Sequence, residues 1–207
     1  MARNGYFGVK NTHIALCTDT EKLTYDVPTH IPGTVEVKLD PSVESADSYA
    51  DNETWLSSQK DNGGSGTLSV YDIENPTTRA LVSKIIGYQV DAGGRMLLSA
   101  EEDPVPFAFM CEQPGSAYGK RKCLYMCKAK KPSTDAKTQE DKPDITQIDI
   151  EFEWKPVTLS SGWRGTGYND YFGTKTYDDF FEKVDTALVP VTTTASGTTS
   201  TTTGVGA

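Results

Sequence analysis

The residues of this 207-residue chain that could do chemistry are four cysteines, two histidines, a run of three carboxylates and one glycine cluster. Cys123 and Cys127 stand four apart and, with Cys17, Cys111, His13 and His30, raise the question of zinc. A tetrahedral site needs four ligands arriving as closely spaced pairs. No second Cys or His pair completes the set near Cys123, and His13 and His30 are distant in sequence. The cysteines therefore read as buried free thiols, which stay reduced in a reducing compartment, and His30 as a surface side chain. Glu101, Glu102 and Asp103 are consecutive, whereas calcium loops space their ligands at alternate positions around a glycine; they read as a solvated turn. Gly63-Gly64-Ser65-Gly66 follows no predicted strand and opens no predicted helix, so it is not a phosphate cradle. The chain has no nucleophile elbow, Walker loop, dinucleotide turn, HExxH or CxxC, and no spacing singles out a facing carboxylate pair among 29 acidic residues. The expectation is a non-enzyme with no cofactor and no metal.

Bulk composition narrows the class. A net charge of −9 argues against a protein that grips nucleic acid by its phosphates, which takes clustered Lys and Arg. The 36% hydrophobic and 24% charged composition is that of an ordinary soluble domain, and no stretch approaches the roughly 18 apolar residues of a membrane span. The first residues lack a basic-then-apolar export pattern, so synthesis and retention in a cytoplasm is the default.

The elements that must position any site are mostly strands. Residues 13–18 form a short apolar run, and residues 25–32 hold two prolines and suit an edge or a connection. Val35, Val37 and Leu39 alternate with Glu36, Lys38 and Asp40, the period-2 pattern of a half-buried strand. Residues 66–73 supply a second strand rich in β-branched and aromatic residues. The polar residues 41–65 between them read as one long loop, a binding loop or an insertion, because hairpin loops normally span about 2–5 residues. A single helix follows: Asn75 as N-cap, Pro76 at its start, Gly87 at its end, an apolar stripe of Ala80, Leu81, Val82 and Ile85, and Arg79, Ser83 and Lys84 outward. Residues 96–100, 105–111 and 118–130 read as further strands, the last two as a hairpin with Cys123, Tyr125 and Cys127 on one face. Residues 128–144 form a charged, solvent-exposed loop.

Residues 145–154 carry the strictest alternation. Ile148, Ile150, Phe152 and Trp154 face one way, while Asp149, Glu151 and Glu153 form a carboxylate ladder on the other. Such a ladder costs stability unless it is solvated or partnered. Beyond it, residues 178–184 suggest one or two helical turns, and the Thr/Ser/Gly-rich residues 192–207 are expected to be disordered. The predicted organisation is an arm (1–10), a β domain (11–155), an extension packed on the domain or on a neighbour (156–191) and the tail (192–207).

Taken in series, several of these segments resemble the major tail protein of long, non-contractile phage tails, the phi13-type family. They are Gly8-Val-Lys-Asn-Thr-His-Ile-Ala-Leu-Cys, Pro28-Thr-His-Ile-Pro-Gly-Thr-Val, Ser48-Tyr-Ala-Asp-Asn, Gly66-Thr-Leu-Ser-Val, the helix with Gly87, Pro106-Phe-Ala-Phe and the strand through Ile148 to Trp154. The likeness covers roughly residues 8–155. It implies a mainly β, sandwich or barrel-like tail tube fold with one flanking helix and a long loop between two strands. It also implies subunits forming hexameric rings that stack into a tube in the virion tail, assembled in the host cytoplasm, through which DNA passes without specific binding. Tape measure, tail tip and tail terminator proteins are the implied partners, with no membrane. On this reading Tyr49, Asp51, Asn52, Trp55 and Leu56 form the subunit or ring interface, suited to contact with the next ring. Glu36, Asp40, Asp72, Asp149, Glu151 and Glu153 line the lumen. The tube protein of a contractile injection machine is a close alternative. A different class of reading is a monomeric module whose 49–66 loop grips a carbohydrate or peptide.

Overall fold

The computed structural model describes residues 8–50, 53–71, 75–97, 101–115, 119–131 and 147–190, with the backbone alone for 46–50 and 53–58. Residues 1–7 of the expected arm and the expected disordered tail at 192–207 lie outside the described residues. The fold is mainly β with one helix. In chain order it comprises β1 (Lys10–Asp19), β2 (Thr24–Tyr25), β3 (Thr29–His30), β4 (Thr34–Ala50), β5 (Glu53–Val70), α1 (Pro76–Ile86), β6 (Gln89–Val90), β7 (Met96–Leu97), β8 (Phe107–Gln113), β9 (Lys120–Ala129), β10 (Ile148–Trp154), β11 (Val157–Thr158), β12 (Arg164–Gly165) and β13 (Gly167–Tyr171). One antiparallel sheet runs β2-β1-β8-β9-β10-β5-β4, with β3 also on β1 and β13 also on β9. β6 pairs with β7, and β11 with β12. The short β2 and β3 fit the edge or connection expected of the proline-bearing 25–32 segment.

One face of the sheet is apolar. Ile14, Phe109, Leu124, Ile150, Phe152 and Leu68 are buried together beneath Leu81, Val82, Ile85 and Ile86 of α1. Phe152 organises this layer, its ring 5.2 Å from that of Phe109, 5.9 Å from Phe107 and 6.1 Å from Trp154. α1 has the expected ends. The Asn75 carboxamide accepts from Thr77 N at 3.0 Å, and Gly87 (φ 80°) closes the helix where a Cβ would meet Glu102 O at 2.7 Å. Its outward face differs from expectation: Ala80 is exposed while Ser83 is fully buried, its hydroxyl donating to Arg79 O at 2.7 Å. That bond to the preceding turn is what allows a serine into the apolar layer.

The other face is divided. Over β1, β8 and β9, Ala15, Ala108, Met110, Cys123 and Tyr125 are buried under the chain that follows β10, chiefly Leu159 and Phe180 with Phe181, Val184 and Leu188 packed alongside. Residues 174–182 there are successive turns (Tyr177 N to Thr174 O, Phe180 N to Tyr177 O), not the helical turns expected. Over β9, β10, β5 and β4 the same face is polar and exposed.

Two sequence expectations fail in instructive ways. Cys127 does not share a face with Cys123 and Tyr125. Met126 sits at φ 45°, and β8 advances from Phe107 to Phe109 while β9 advances from Cys127 to Leu124, a bulge that turns Cys127 back beside Leu124 in the helix-side core. And residues 41–65 are not a loop. β4 and β5 stay paired from Thr34↔Val70 to Ala50↔Glu53, so the two-residue connection at 51–52 is all that separates them. Gly64 in that segment and Gly66 just after it are strand positions opposite aromatic residues across the ladder, Gly64 opposite Trp154 and Gly66 opposite Phe152. A Cβ on Gly64 would lie 2.4 Å from the Trp154 ring and one on Gly66 2.8 Å from the Phe152 ring. Absence of a side chain is what lets the rings approach β5 this closely.

Candidate assembly surfaces

Among the described residues β4 is the last strand of the sheet, so no described strand pairs with the outer edge of its 17 residues. An exposed edge of that length is a template for pairing with another chain. It is not a smooth one: Pro41 lacks an N–H, and the pairing to β5 shifts register between Thr34 and Glu36, Pro41 and Val43, and Ser48 and Tyr49. Such interruptions restrict which strand can add to the edge.

Beyond the Pro41–Gly64 pair the hairpin leaves the sheet. β10 accompanies β5 only as far as Gly64, so residues 43–50 and 53–61 form a ribbon paired to itself alone among the described strands. Its root is fixed where the Asp61 carboxylate accepts from Gly63 N at 2.9 Å and from the Thr166 hydroxyl at 3.1 Å. A lone two-stranded ribbon is marginal in water. Of the expected interface residues, Tyr49, Trp55 and Leu56 lie on this ribbon, where their backbone is described and their side chains are not, and Asp51 and Asn52 lie outside the described residues. A paired ribbon is also not the cupped loop that a 49–66 ligand grip would need.

The expected acidic set assembles in part. Glu36 and Asp40 on β4 and Asp149, Glu151 and Glu153 on β10 share the exposed polar face, registered through Ser69, Thr67 and Ser65 of β5. Asp72 lies outside the described residues. The ladder is partnered at intervals: Ser69 Oγ donates to Asp149 at 2.6 Å, Lys38 stands 3.3 Å from Asp40, and Lys130 pairs with Glu153 at 2.8 Å. The hydrogen bond and charge of Lys130 hold the Glu153 carboxyl below its usual range. Glu36 and Glu151 make no ion pair among the described residues.

Sequence reading missed a buried charge cluster on the opposite half. Glu112 of β8 is 4% exposed and accepts from Asn11 Nδ2 at 3.0 Å and Arg121 Nε at 3.1 Å, with Lys10 Nζ at 3.0 Å. Burial pushes its carboxyl up, but the Asn11 and Lys10 hydrogen bonds and the Arg121 charge outweigh it and hold the pKa low. The Arg121 guanidinium also lies 3.8 Å from the Tyr177 ring centroid and 4.9 Å from that of Phe181, and donates to Tyr177 O. It thereby clamps the post-β10 chain onto the sheet. Opposite charges placed across adjacent antiparallel strands (Glu112↔Arg121) were the available signal.

The four cysteines are buried and free, and among the described residues no group of three or more His, Cys, Asp and Glu could hold a metal. Two shallow clefts lie among the described residues, one of about 340 Å³ beside Lys10, Glu112 and Tyr177 and one of about 380 Å³ at the end of α1 beside Tyr88 and Glu102. No described helix is long and apolar enough to cross a membrane.

No protein-family model matches the chain, and no curated protein matches it. Among solved structures it is similar to the anti-feeding prophage cap, a tube terminating cap, with TM-score 0.40 and 10% identity over 78% of this chain and 87% of that one. It is similar also to a chain of the sheath-tube complex of PVC, an extracellular contractile injection system in its extended state, with TM-score 0.39 and 10% identity over 77% of this chain and 88% of that one.

Proposed function

We propose that the chain is a structural subunit of a phage tail tube, of the non-contractile, phi13-type kind, which assembles with copies of itself into hexameric rings stacked as the conduit for DNA ejection. One observation carries the reading: β4 ends the sheet with a 17-residue open edge and runs on into a ribbon that no other described strand supports. A protein that stayed monomeric would expose both. A closed ring in which neighbouring copies continue the sheet removes the edge and gives the ribbon a surface to lie on. The ordered series of segments resembling the family supports the same reading. So does the exposed acidic face of β4 and β10, since a wall of carboxylates keeps phosphates from sticking on the way through. The subunit would work as part of the virion tail, next to tape measure, tip and terminator proteins.

The test is sedimentation and negative-stain microscopy of the purified protein over rising concentration. Rings or tubes are the expected result. A single monomeric species at millimolar concentration, with no rings on any grid, overturns the proposal.

A further inference from the structure

The two histidines of the chain meet across the sheet. His13 on β1 is the ladder partner of His30 on β3, their ring centroids 5.1 Å apart, and on its other side of Met110 on β8. Met110 pairs with Cys123 on β9, and Cys123 with Tyr168 on β13, so one row of side chains crosses five strands on one face. Two adjacent rings of the chain that follows β10 lie on this row. Phe181 stacks on His13 with centroids 4.4 Å apart and planes 23° apart, and Phe180 packs on Tyr168 at 5.5 Å. These rings belong to a strap, residues 177–188, that carries neither helix nor strand. The strap is tied down at separate points: Arg121 donates to Tyr177 O, the Tyr125 hydroxyl to Asp185 O, Asp185 N to the Tyr168 hydroxyl at 3.3 Å, and the Ser161 hydroxyl to Leu188 O at 2.6 Å. A segment without a hydrogen-bonded ladder of its own belongs to the low-stability end of a fold, where local opening occurs.

His13 is half-buried at the strap's edge. Its Nδ1 lies 2.9 Å from Asn11 O; a carbonyl only accepts, so the neutral ring carries its proton on Nδ1, and Nε2 is the atom that gains a second. What surrounds it does not welcome that proton. β3 presents His30 and β8 the uncharged Met110, while Arg121 of β9 holds its guanidinium 4.9 Å from the ring of Phe181. Glu112, the buried carboxylate of β8, is already engaged by Arg121, Lys10 and Asn11. On the strap the charges flanking the two rings, Asp178, Asp179, Glu182 and Lys183, are exposed. Burial lowers the His13 pKa below its ordinary 6.5, the Asn11 bond works the other way, and the charges of His30 and Arg121 lower it further. With its folded pKa depressed, the ring favours the closed strap fully above the ordinary value, and that support is lost as pH falls through the folded pKa.

We propose that His13, stacked under Phe181 and opposite His30, is a pH-sensitive latch: its protonation frees residues 177–188 from the face of β1, β8 and β9 while the core beneath α1 stays folded. The proposal stands apart from assembly and is read on the full-length chain. Amide hydrogen exchange, corrected for the intrinsic rate at each pH, should show the opening of the strap rising about fivefold or more from about pH 7.5 to about 5.5, with α1 and β10 unchanged. Ordinary carboxylates stay ionised over that range, which leaves the step to histidine. His13→Gln should remove the step and His30→Gln should shrink it. Equal strap exchange at both pH values overturns the latch, as does a step that survives in His13→Gln. A loss of protection shared equally by strap, α1 and β10 is global unfolding and overturns it too. Should His13→Gln open the strap at every pH, the decision passes to the proton resonances of His13 in the wild type: titration below the ordinary histidine range supports the latch, and titration at or above it overturns the proposal.

Discussion

Glu112→Gln tests whether the buried charge cluster holds the two halves of the molecule together. The carboxylate is 6% exposed at its side chain and Arg121 14%, so neither is rescued by water when the other is neutralised. Breaking a buried pair by removing one partner costs about 3–5 kcal/mol. Lys10, the third member, is 53% exposed and can turn to solvent, and the substituted carboxamide still offers one acceptor to Asn11, so the lower end, about 3 kcal/mol, applies. For a chain of this size that is a fall of roughly 6–12 °C in melting temperature, read by near-UV circular dichroism. The pH dependence has a definite sign. The Glu112 pKa is depressed in the folded protein below its ordinary 4.5, so its contribution is complete above that value and is lost as pH falls through the folded pKa. The gap between wild type and variant should therefore be constant from pH 8 to about 5 and close at lower pH. A loss under about 1 kcal/mol at pH 7, or a gap that does not close in acid, refutes the reasoning.

Other expectations follow from the same packing. Gly64→Val places a branched side chain where a Cβ alone is 2.4 Å from the Trp154 ring and 2.5 Å from Asp40 O; it should cost about 3 kcal/mol or more in urea unfolding, and a neutral result would mean the ring does not lie over β5. The cysteine thiols should resist alkylation in the native state at pH 8, because burial pushes Cys111 up to about 11 and Cys123 and Cys127 above the usual thiol range; fast labelling without unfolding would contradict their placement. Glu36→Lys with Glu151→Lys, both on the exposed acidic face, should leave assembly intact and slow DNA ejection, since phosphates would find counter-charges along the wall; ejection at wild-type speed through intact tubes would remove that face from the lumen.

Much of the fold was legible because burial writes periodicity into sequence. β10 alternates Ile148, Ile150, Phe152 and Trp154 with carboxylates because one face is core and the other is wet. α1 announced itself through Asn75 and Gly87, whose backbone geometry few residues satisfy. The ribbon was illegible for the converse reason: beyond the Pro41–Gly64 pair its two strands pair with each other alone among the described strands, nothing imposes an alternation on the sequence, and residues 41–65 look like loop. Gly64 and Gly66 compounded the error, since the room they leave is taken by rings that approach from β10, far along the chain. The Met126 bulge likewise depends on the register of β8 against β9, which no local pattern reports. The acidic members Glu36, Asp40, Asp149, Glu151 and Glu153 were found by alternation alone, while Glu112 was hidden because a buried carboxylate next to hydrophobic residues looks like any strand end until its partners Asn11 and Arg121 are brought to it.

The most direct measurement is a cryo-microscopy reconstruction of particles grown from the purified chain. A tube subunit gives sixfold rings in which the outer edge of β4 is hydrogen-bonded to a strand of the neighbouring copy and the Glu36–Glu151 face lines the channel. Particles in which the β4 edge faces solvent, or a protein that remains monomeric at every concentration, would contradict it.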